Sequence, residues 1–532
     1  MIALFFAQGV KANGLQATNI SLQGQNITNQ TWQVRFNLSW NNSWRDDINY
    51  DAAWVFIKFR IGNGPWTHAI LDTSGFVTGN GTATELRVSP DGRGVMVNRA
   101  QQSSGTYSAT GMELRWNYGM SGVQNNDLPQ VRVFAVEMVN IPEGPFAIGD
   151  GNGSSESVSA LGVADNRYYV VTRELSPPLR ADANFNYGRN ILRIKGDGGV
   201  DNNGDAVIDN TSYPVGYNSF FMMKYKITQE QYADFLSTLL PLQAAPRYNT
   251  GVGTNRYNIQ TSGGLFFTST PDRACNFISF EDGLAYADWA CLRPFTETEY
   301  EKACRGPIAP VLNEFPWGTT SHYPSYVYNN SNQTQSSDRV LRITGTENGQ
   351  EFATITASNI YFPERWIDRS SVCNSDAWRM NHVYDASGNV LIDVSSTNNM
   401  GPLKVGIFVD SLNGTRESGG LSYYGIVEMA TNLADQLYNI TSPDGRTFSG
   451  SHGDGVLTAN GTQNVSVWPT SSTAIGLKGW PTIADAGECS GNYIQNNMKR
   501  RYHVSYRETM ESQSYNLRRN YTGFRCARSQ WW

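Results

Sequence analysis

Cysteine is scarce in this chain, six residues in 532, and no two of them form a Cys-x-x-Cys pair. That excludes a zinc ribbon or a thioredoxin-like redox site, and six scattered thiols do not make a disulfide scaffold. Charge is also sparse: Asp, Glu, Lys and Arg make up 17% of the chain, against about a quarter in ordinary domains. Basic and acidic residues stand at 41 and 47, and no long run of one sign occurs. Binding that rests on neutralising phosphates is therefore excluded as a class. No apolar stretch approaches the roughly eighteen residues that a membrane helix needs. The five histidines (His68, His322, His382, His452 and His503) lack metal-ligand spacing and read as packing or surface residues. Lysine is rarest of the charged types, nine against thirty-two arginines.

Amides, glycine and aromatics fill the space. The chain holds 49 asparagines and 51 glycines, with 12% aromatic residues. This is a turn-rich, β-rich composition kept soluble by amides and hydroxyls, and recurring strand patterns exclude disorder. A mass of 59.0 kDa predicts two or three domains. Fifteen Asn-x-Ser/Thr triplets occur, among them Asn19, Asn26, Asn37, Asn80, Asn413 and Asn460. They are candidate glycosylation sites and fit an extracellular or cell-surface protein.

Residues 1–14 form an apolar arm, with Ile2, Leu4 and Phe6 alternating against Ala3, Phe5 and Ala7. Two readings stand: the remnant of a secretory signal, or a retained strand that docks on a sheet because it is too apolar to lie in water.

Residues 15–137 alternate with period two. Trp32, Val34, Phe36, Leu38 and Trp40 share one face, with Gln33, Arg35, Asn37 and Ser39 on the other. Val55, Ile57, Phe59 and Ile61 repeat the pattern, as do Met112, Leu114, Trp116 and Tyr118, then Val131, Val133 and Ala135. Turn residues punctuate these runs and no amphipathic helix intervenes, which predicts an antiparallel β-sandwich. No cluster of catalytic side chains lies here, so the region is expected to be architectural or adhesive.

From residue 138 to 532 the text changes. Three helix starts carry capping boxes, Thr228 with Gln231, Ser279 with Asp282 and Thr296 with Glu299. In each, a hydroxyl satisfies free amides while the third-position side chain reaches back. Between 201 and 209, Asp201, Asn203, Asp205 and Asp209 take positions 1, 3, 5 and 9 of a calcium-type loop. Ala206 and Ser212 stand where such loops carry Gly and Glu, so an Asn/Asp-rich turn is the competing reading.

Lys224-Tyr-Lys-Ile-Thr-Gln-Glu-Gln-Tyr-Ala-Asp-Phe-Leu236 is followed by Leu292-Arg-Pro-Phe-Thr-Glu-Thr-Glu-Tyr-Glu-Lys-Ala-Cys-Arg-Gly306 and Asn313-Glu-Phe-Pro-Trp-Gly-Thr319. Tyr423-Tyr-Gly-Ile-Val-Glu-Met-Ala-Thr-Asn432 and Gly523-Phe-Arg-Cys-Ala-Arg528 complete the series. In this order the segments resemble the formylglycine-generating enzyme, or sulfatase-modifying factor, family, over roughly 138–528 with an unmatched insert around 320–415. The resemblance implies a C-type-lectin-like α+β domain with few helices. The whole chain is then mainly β plus α+β, a sandwich followed by that domain.

The enzymes of the family hold copper(I) on two cysteines a few residues apart, because paired soft sulfur is what copper(I) selects. Here the comparable stretch offers Cys489 alone, and Cys526 lies 37 residues further on. Where the family often has Gly-Asn-Val-Trp-Glu-Trp, this chain has Thr431-Asn-Leu-Ala-Asp-Gln436. The expectation is an exported, non-catalytic structural or adhesive protein without copper, its partners other copies of itself or surface ligands. In its sharper form it is a filament subunit assembled by donation of the N-terminal arm. Two alternatives remain open. One is a ligand-binding module using the tyrosines and arginines of the last forty residues; the other is a copper-dependent oxidase acting through Cys489 and Cys526.

Overall fold

In the computed structural model, residues 14–150, 212–320, 420–440, 442–479 and 513–532 are described throughout. Short pieces are described between 161 and 210, between 321 and 416, and between 502 and 510. The apolar arm, the Asp201–Asp209 loop, Asn413 and Cys489 lie outside the described residues.

The period-two segments form the expected sandwich. Its first sheet has the order β1-β2-β8-β5, from Gln16–Asn26 (β1), Thr31–Arg45 (β2), Ser103–Asn117 (β8) and Asn80–Gly81 (β5). The second contains Asp51–Ile61 (β3), Thr67–His68 (β4), Thr84–Val88 (β6), Val95–Arg99 (β7) and Pro129–Ile141 (β9). Trp32, Val34, Phe36, Leu38 and Trp40 on β2 are all buried against Val55, Ile57 and Phe59 on β3. Met112, Leu114 and Trp116 on β8 and Val133 and Ala135 on β9 close the same core. Ile61, at the end of β3, is exposed.

The second sheet continues beyond the sandwich. On its far side β9 pairs with Phe220–Met223 (β10), and β10 pairs with Ala527–Ser529 (β14). A boundary at 137/138 therefore falls inside β9, and the two regions share one sheet. The reason is visible in β3 and β9: Ala52, Trp54 and Phe56, with Phe134, Val136 and Met138, make their second face apolar as well. A strand buried on both faces reads as a continuous apolar run rather than an alternating one.

Gln229–Ser237 (α1) and Phe280–Trp289 (α2) cover that second face, while Glu297–Arg305 (α3) packs with Val139, Ile141, Phe220 and Met222; all three capping boxes are formed in both directions. Trp289 at the end of α2 meets Phe56 and Phe134 edge-on, with ring centroids 5.1 and 5.0 Å away. Trp54 donates from its indole to the carbonyl of Ala290 at 2.8 Å. A small sheet of Ala434–Tyr438 (β11), Ile475–Lys478 (β12) and Thr522–Gly523 (β13), in the order β12-β11-β13, completes the α+β region. Sandwich and α+β region are thus three packed layers, not beads on a linker.

Candidate functional site

The sequence motifs converge on buried charge. Lys226 follows β10, Glu428 and Asn432 lie in the loop before β11, Asp435 is on β11, and Arg525 follows β13. Lys226, Glu428, Asp435 and Arg525 are all almost completely buried. Lys226 Nζ donates to Asp435 Oδ2 at 2.7 Å and to the Glu428 carbonyl at 2.9 Å. Arg525 Nε lies 3.4 Å from the same Asp435 oxygen. Its terminal nitrogens donate to the carbonyls of Met223, Lys224 and Val427 at 2.7–2.9 Å. The Glu428 carboxylate accepts from Asn432 Nδ2 at 2.8 Å and from the Gly406 amide at 3.1 Å. Glu428 and Asn432 both take left-handed backbone, φ 58° and 70°, a conformation rare outside glycine and held here by the surrounding contacts.

Burial sets the electrostatics. It lowers the Lys226 ammonium to about 8, against the opposing pull of Asp435, and raises the Glu428 carboxyl to about 7. Both shifts bring these two groups toward neutrality inside one buried cluster.

A second centre is built on α3. Glu297, Glu301 and Arg305 recur at every fourth residue, and every residue of this helix is buried. Arg507 pairs through Nε with Glu297 at 2.7 Å and through Nη2 with Glu301. Arg305 pairs with Glu301 at 3.0 Å and with Glu314. Burial would raise the Glu301 carboxyl, but Arg507 and Arg305 outweigh it and hold the group below its ordinary range.

A third lies at the seam between the regions. Lys224 Nζ stands 3.5 Å from Asp51 Oδ2 on β3 and 3.3 Å from Glu137 Oε2 on β9. Asp51 also accepts from the Trp40 indole and the Ser43 hydroxyl, each at 2.9 Å. Towards the other end of β3, Lys58 Nζ donates to the Gly455 carbonyl, and Cys291 Sγ lies 3.5 Å from His68 Nδ1. Burial pushes the Cys291 thiol up to about 12, so this Cys–His pair is a packed contact and not an activated nucleophile.

The expected site residues fall as follows. Cys526 is fully buried, its amide bonded to Met223 Sδ at 3.2 Å, and burial drives its thiol well above the usual range. Copper(I) takes thiolates, and a sealed protonated thiol does not fit that role. Cys275, Cys291, Cys304 and Cys526 are all buried free thiols. Among the described residues no three His, Cys, Asp or Glu side chains are grouped to hold a metal ion. Asp454 accepts from the Val456 amide at 2.9 Å and closes a turn. His68 and His503 are buried, and His452 accepts from the Ser529 amide.

Of the tail residues expected to offer a binding surface, Tyr502 and Tyr506 are buried, Tyr502 beside Phe315 and Trp317. Arg518 holds Asp282 with two bonds of 2.7 and 2.8 Å. Asn19, Asn26, Asn80 and Asn460 are exposed, whereas Asn37 is half-buried and accepts from the Gly111 amide. The three ion centres were not anticipated. The available signal was lysine placed inside apolar text, as in Met222-Met-Lys-Tyr-Lys-Ile-Thr228.

Among the described residues the architecture is mainly β plus α+β, with few helices and with loops meeting at a buried charged centre. Residues 182–400 match the family described as Sulfatase-modifying factor enzyme 1-like domain. The match spans part of the expected insert and stops short of Tyr423–Asn432 and Gly523–Arg528. No curated protein matches the chain.

Proposed function

We propose that this protein is a non-catalytic structural or adhesive protein working outside the cell, in which the sulfatase-modifying-factor-like domain serves as scaffold. The observation that carries this reading is the fate of the motif residues. Lys226, Asp435, Glu301, Arg305 and Arg525 are spent on internal ion pairs, and Cys526 is sealed in the sheet that joins both regions. Groups buried in this way hold a fold together and do not meet a substrate. No helix among the described residues is long and apolar enough to cross a membrane.

The sharper form is a filament subunit assembled by strand donation. Among the described residues β1 has a strand neighbour on one side only, which leaves its outer edge to accept another strand. Leu15, where the arm joins β1, is buried beside a small cleft lined by Val136, Met223, Tyr225 and Gln231. A neighbour's Ile2, Leu4 and Phe6 would supply the apolar face of a strand laid along β1. Such a head-to-tail contact does not close and therefore propagates. Electron microscopy of native material is expected to show fibres, and deletion of residues 2–12 to leave monomers; assemblies unchanged by the deletion would refute strand donation. Copper-loaded protein given a cysteine-containing sulfatase peptide is expected to yield no aldehyde. Turnover to the aldehyde would replace the scaffold reading with the oxidase.

A further inference from the structure

Lys226 and Asp435 are 209 positions apart, yet amine and carboxyl meet at 2.7 Å with less than 1% of either side chain exposed. We infer that the two are joined by an amide bond between Lys226 Nζ and Asp435 Cγ, formed inside the folded chain with Glu428 carrying protons and Arg525 supporting the oxyanion.

The step balances without an oxidant or a co-reactant. An ammonium and a carboxylate become an amide and one water: the Nζ–Cγ bond forms, one Cγ–Oδ bond breaks, and the departing oxygen leaves with two protons of the former ammonium. Asp435 Oδ1 is buried and has no hydrogen-bond partner among the described residues, so it is the oxygen that leaves with least loss. Three features favour the reaction over a simple ion pair. The nucleophile must be a neutral amine, and burial lowers the Lys226 ammonium to about 8. A proton carrier must stand close by: Lys226 Nζ already donates to the Glu428 carbonyl at 2.9 Å, and the Glu428 carboxyl, held by Asn432 and the Gly406 amide, is buried and raised to about 7. The tetrahedral oxyanion needs a fixed positive group, and Arg525 is clamped on three carbonyls with its Nε 3.4 Å from Asp435 Oδ2. Held reactants and a dry site supply the rest, since the water released has no reason to return.

Lys224 is the internal contrast. It sits between two carboxylates at longer range, 3.5 and 3.3 Å, and Tyr225, Glu137 and Asp51 outweigh burial to hold it charged. It stays an ion bridge. The amide ties the exit of β10 to β11 and closes a loop containing all three helices, which restricts the unfolded chain and suits a protein under tension. It forms within one chain, so it stands or falls independently of polymerisation.

The test is tandem mass spectrometry of the purified full chain, denatured, reduced and digested. A branched peptide containing Lys226 and Asp435, one water lighter than its two parts, is expected, with Lys224 unlinked. Linear peptides carrying a free Lys226 and a free Asp435 would overturn the inference, and this wild-type result decides whether or not any variant folds. Glu428→Gln is expected to abolish the branched peptide; a full yield in that variant would remove Glu428 from the reaction.

Discussion

In the sandwich, Trp32 to Trp40 turn five apolar side chains inward and leave Arg35 exposed. In the α+β region, Glu297, Glu301, Arg305 and Arg507 are buried together, and α3 has no solvated face. Of the six lysines among the described residues, five are buried: Lys58, Lys224, Lys226, Lys302 and Lys478. A low overall charge thus conceals an uneven distribution. The sandwich is organised by apolar burial, which is non-directional, whereas its neighbour is organised by ion pairs, which fix partners and geometry. Buried ion pairs add little net stability over apolar packing, but they strongly penalise the loss of one partner.

The contrast breaks first at the shared sheet. Expressed alone, residues 14–141 would expose Trp54, Phe56, Phe134, Val136 and Met138, the face that α1 and α2 cover in the whole chain. That patch is expected to drive aggregation or prevent folding altogether. A monomeric fragment with a sharp thermal transition would mean that the sandwich is an independent domain after all.

The next largest effect lies in the ion centres. Arg507→Met removes the ion-pair partner of buried Glu297 and one of the two arginines that hold Glu301. A loss of about 3–5 kcal/mol is expected from urea unfolding. A cost below that of an ordinary surface substitution would show that the centre is wetter than its burial indicates.

How much of this was legible in the sequence follows the same division. Period-two alternation identified the inward face of β2 and β8, because a strand with one dry face must alternate. The capping boxes at Thr228, Ser279 and Thr296 were legible because each is a contact across three residues. The second dry face of β3 was written in Ala52-Ala-Trp-Val-Phe56, which has no polar alternate, but its cover comes from α2, more than two hundred residues away. Ion centres stayed illegible for the same reason: Lys226 meets Asp435 and Arg507 meets Glu301 only through the completed fold. The candidate thiols were legible as a shortage, while the burial of Cys526 was not. The arm, the calcium-type loop and Cys489 lie outside the described residues.

An intermediate effect tests the seam. Burial raises the Asp288 carboxyl from its ordinary 3.8 to about 6, against the pull of the Asn464 and Asp454 amides. The folded chain therefore keeps a proton that the unfolded chain has already released. The stability this group contributes is complete below 3.8 and is lost as pH rises through 6, an amount of roughly 3 kcal/mol. Unfolding midpoints measured across that window are expected to fall less steeply in Asp288→Asn than in the wild type. Parallel curves would mean that the carboxyl is solvated.

The smallest effect completes the comparison, because it concerns a sandwich ion pair of the same chemical type. Glu85 on β6 holds Arg45 at 3.0 Å, but both side chains keep about a quarter of their surface in water. Water already solvates each partner, so their attraction is screened and its loss is shared with solvent. Asn98 also donates to Glu85 at 3.1 Å, so Glu85→Gln preserves part of the local bonding. A double-mutant cycle on Arg45 and Glu85 is expected to return a coupling below about 1 kcal/mol that shrinks with added salt. The same cycle on Arg507 and Glu301 is expected to give a larger, salt-insensitive value, since no ions reach it. Equal couplings at the two sites would mean that the identity of the charges, and not their burial, sets the energy, and the division between the two regions would lose its physical basis.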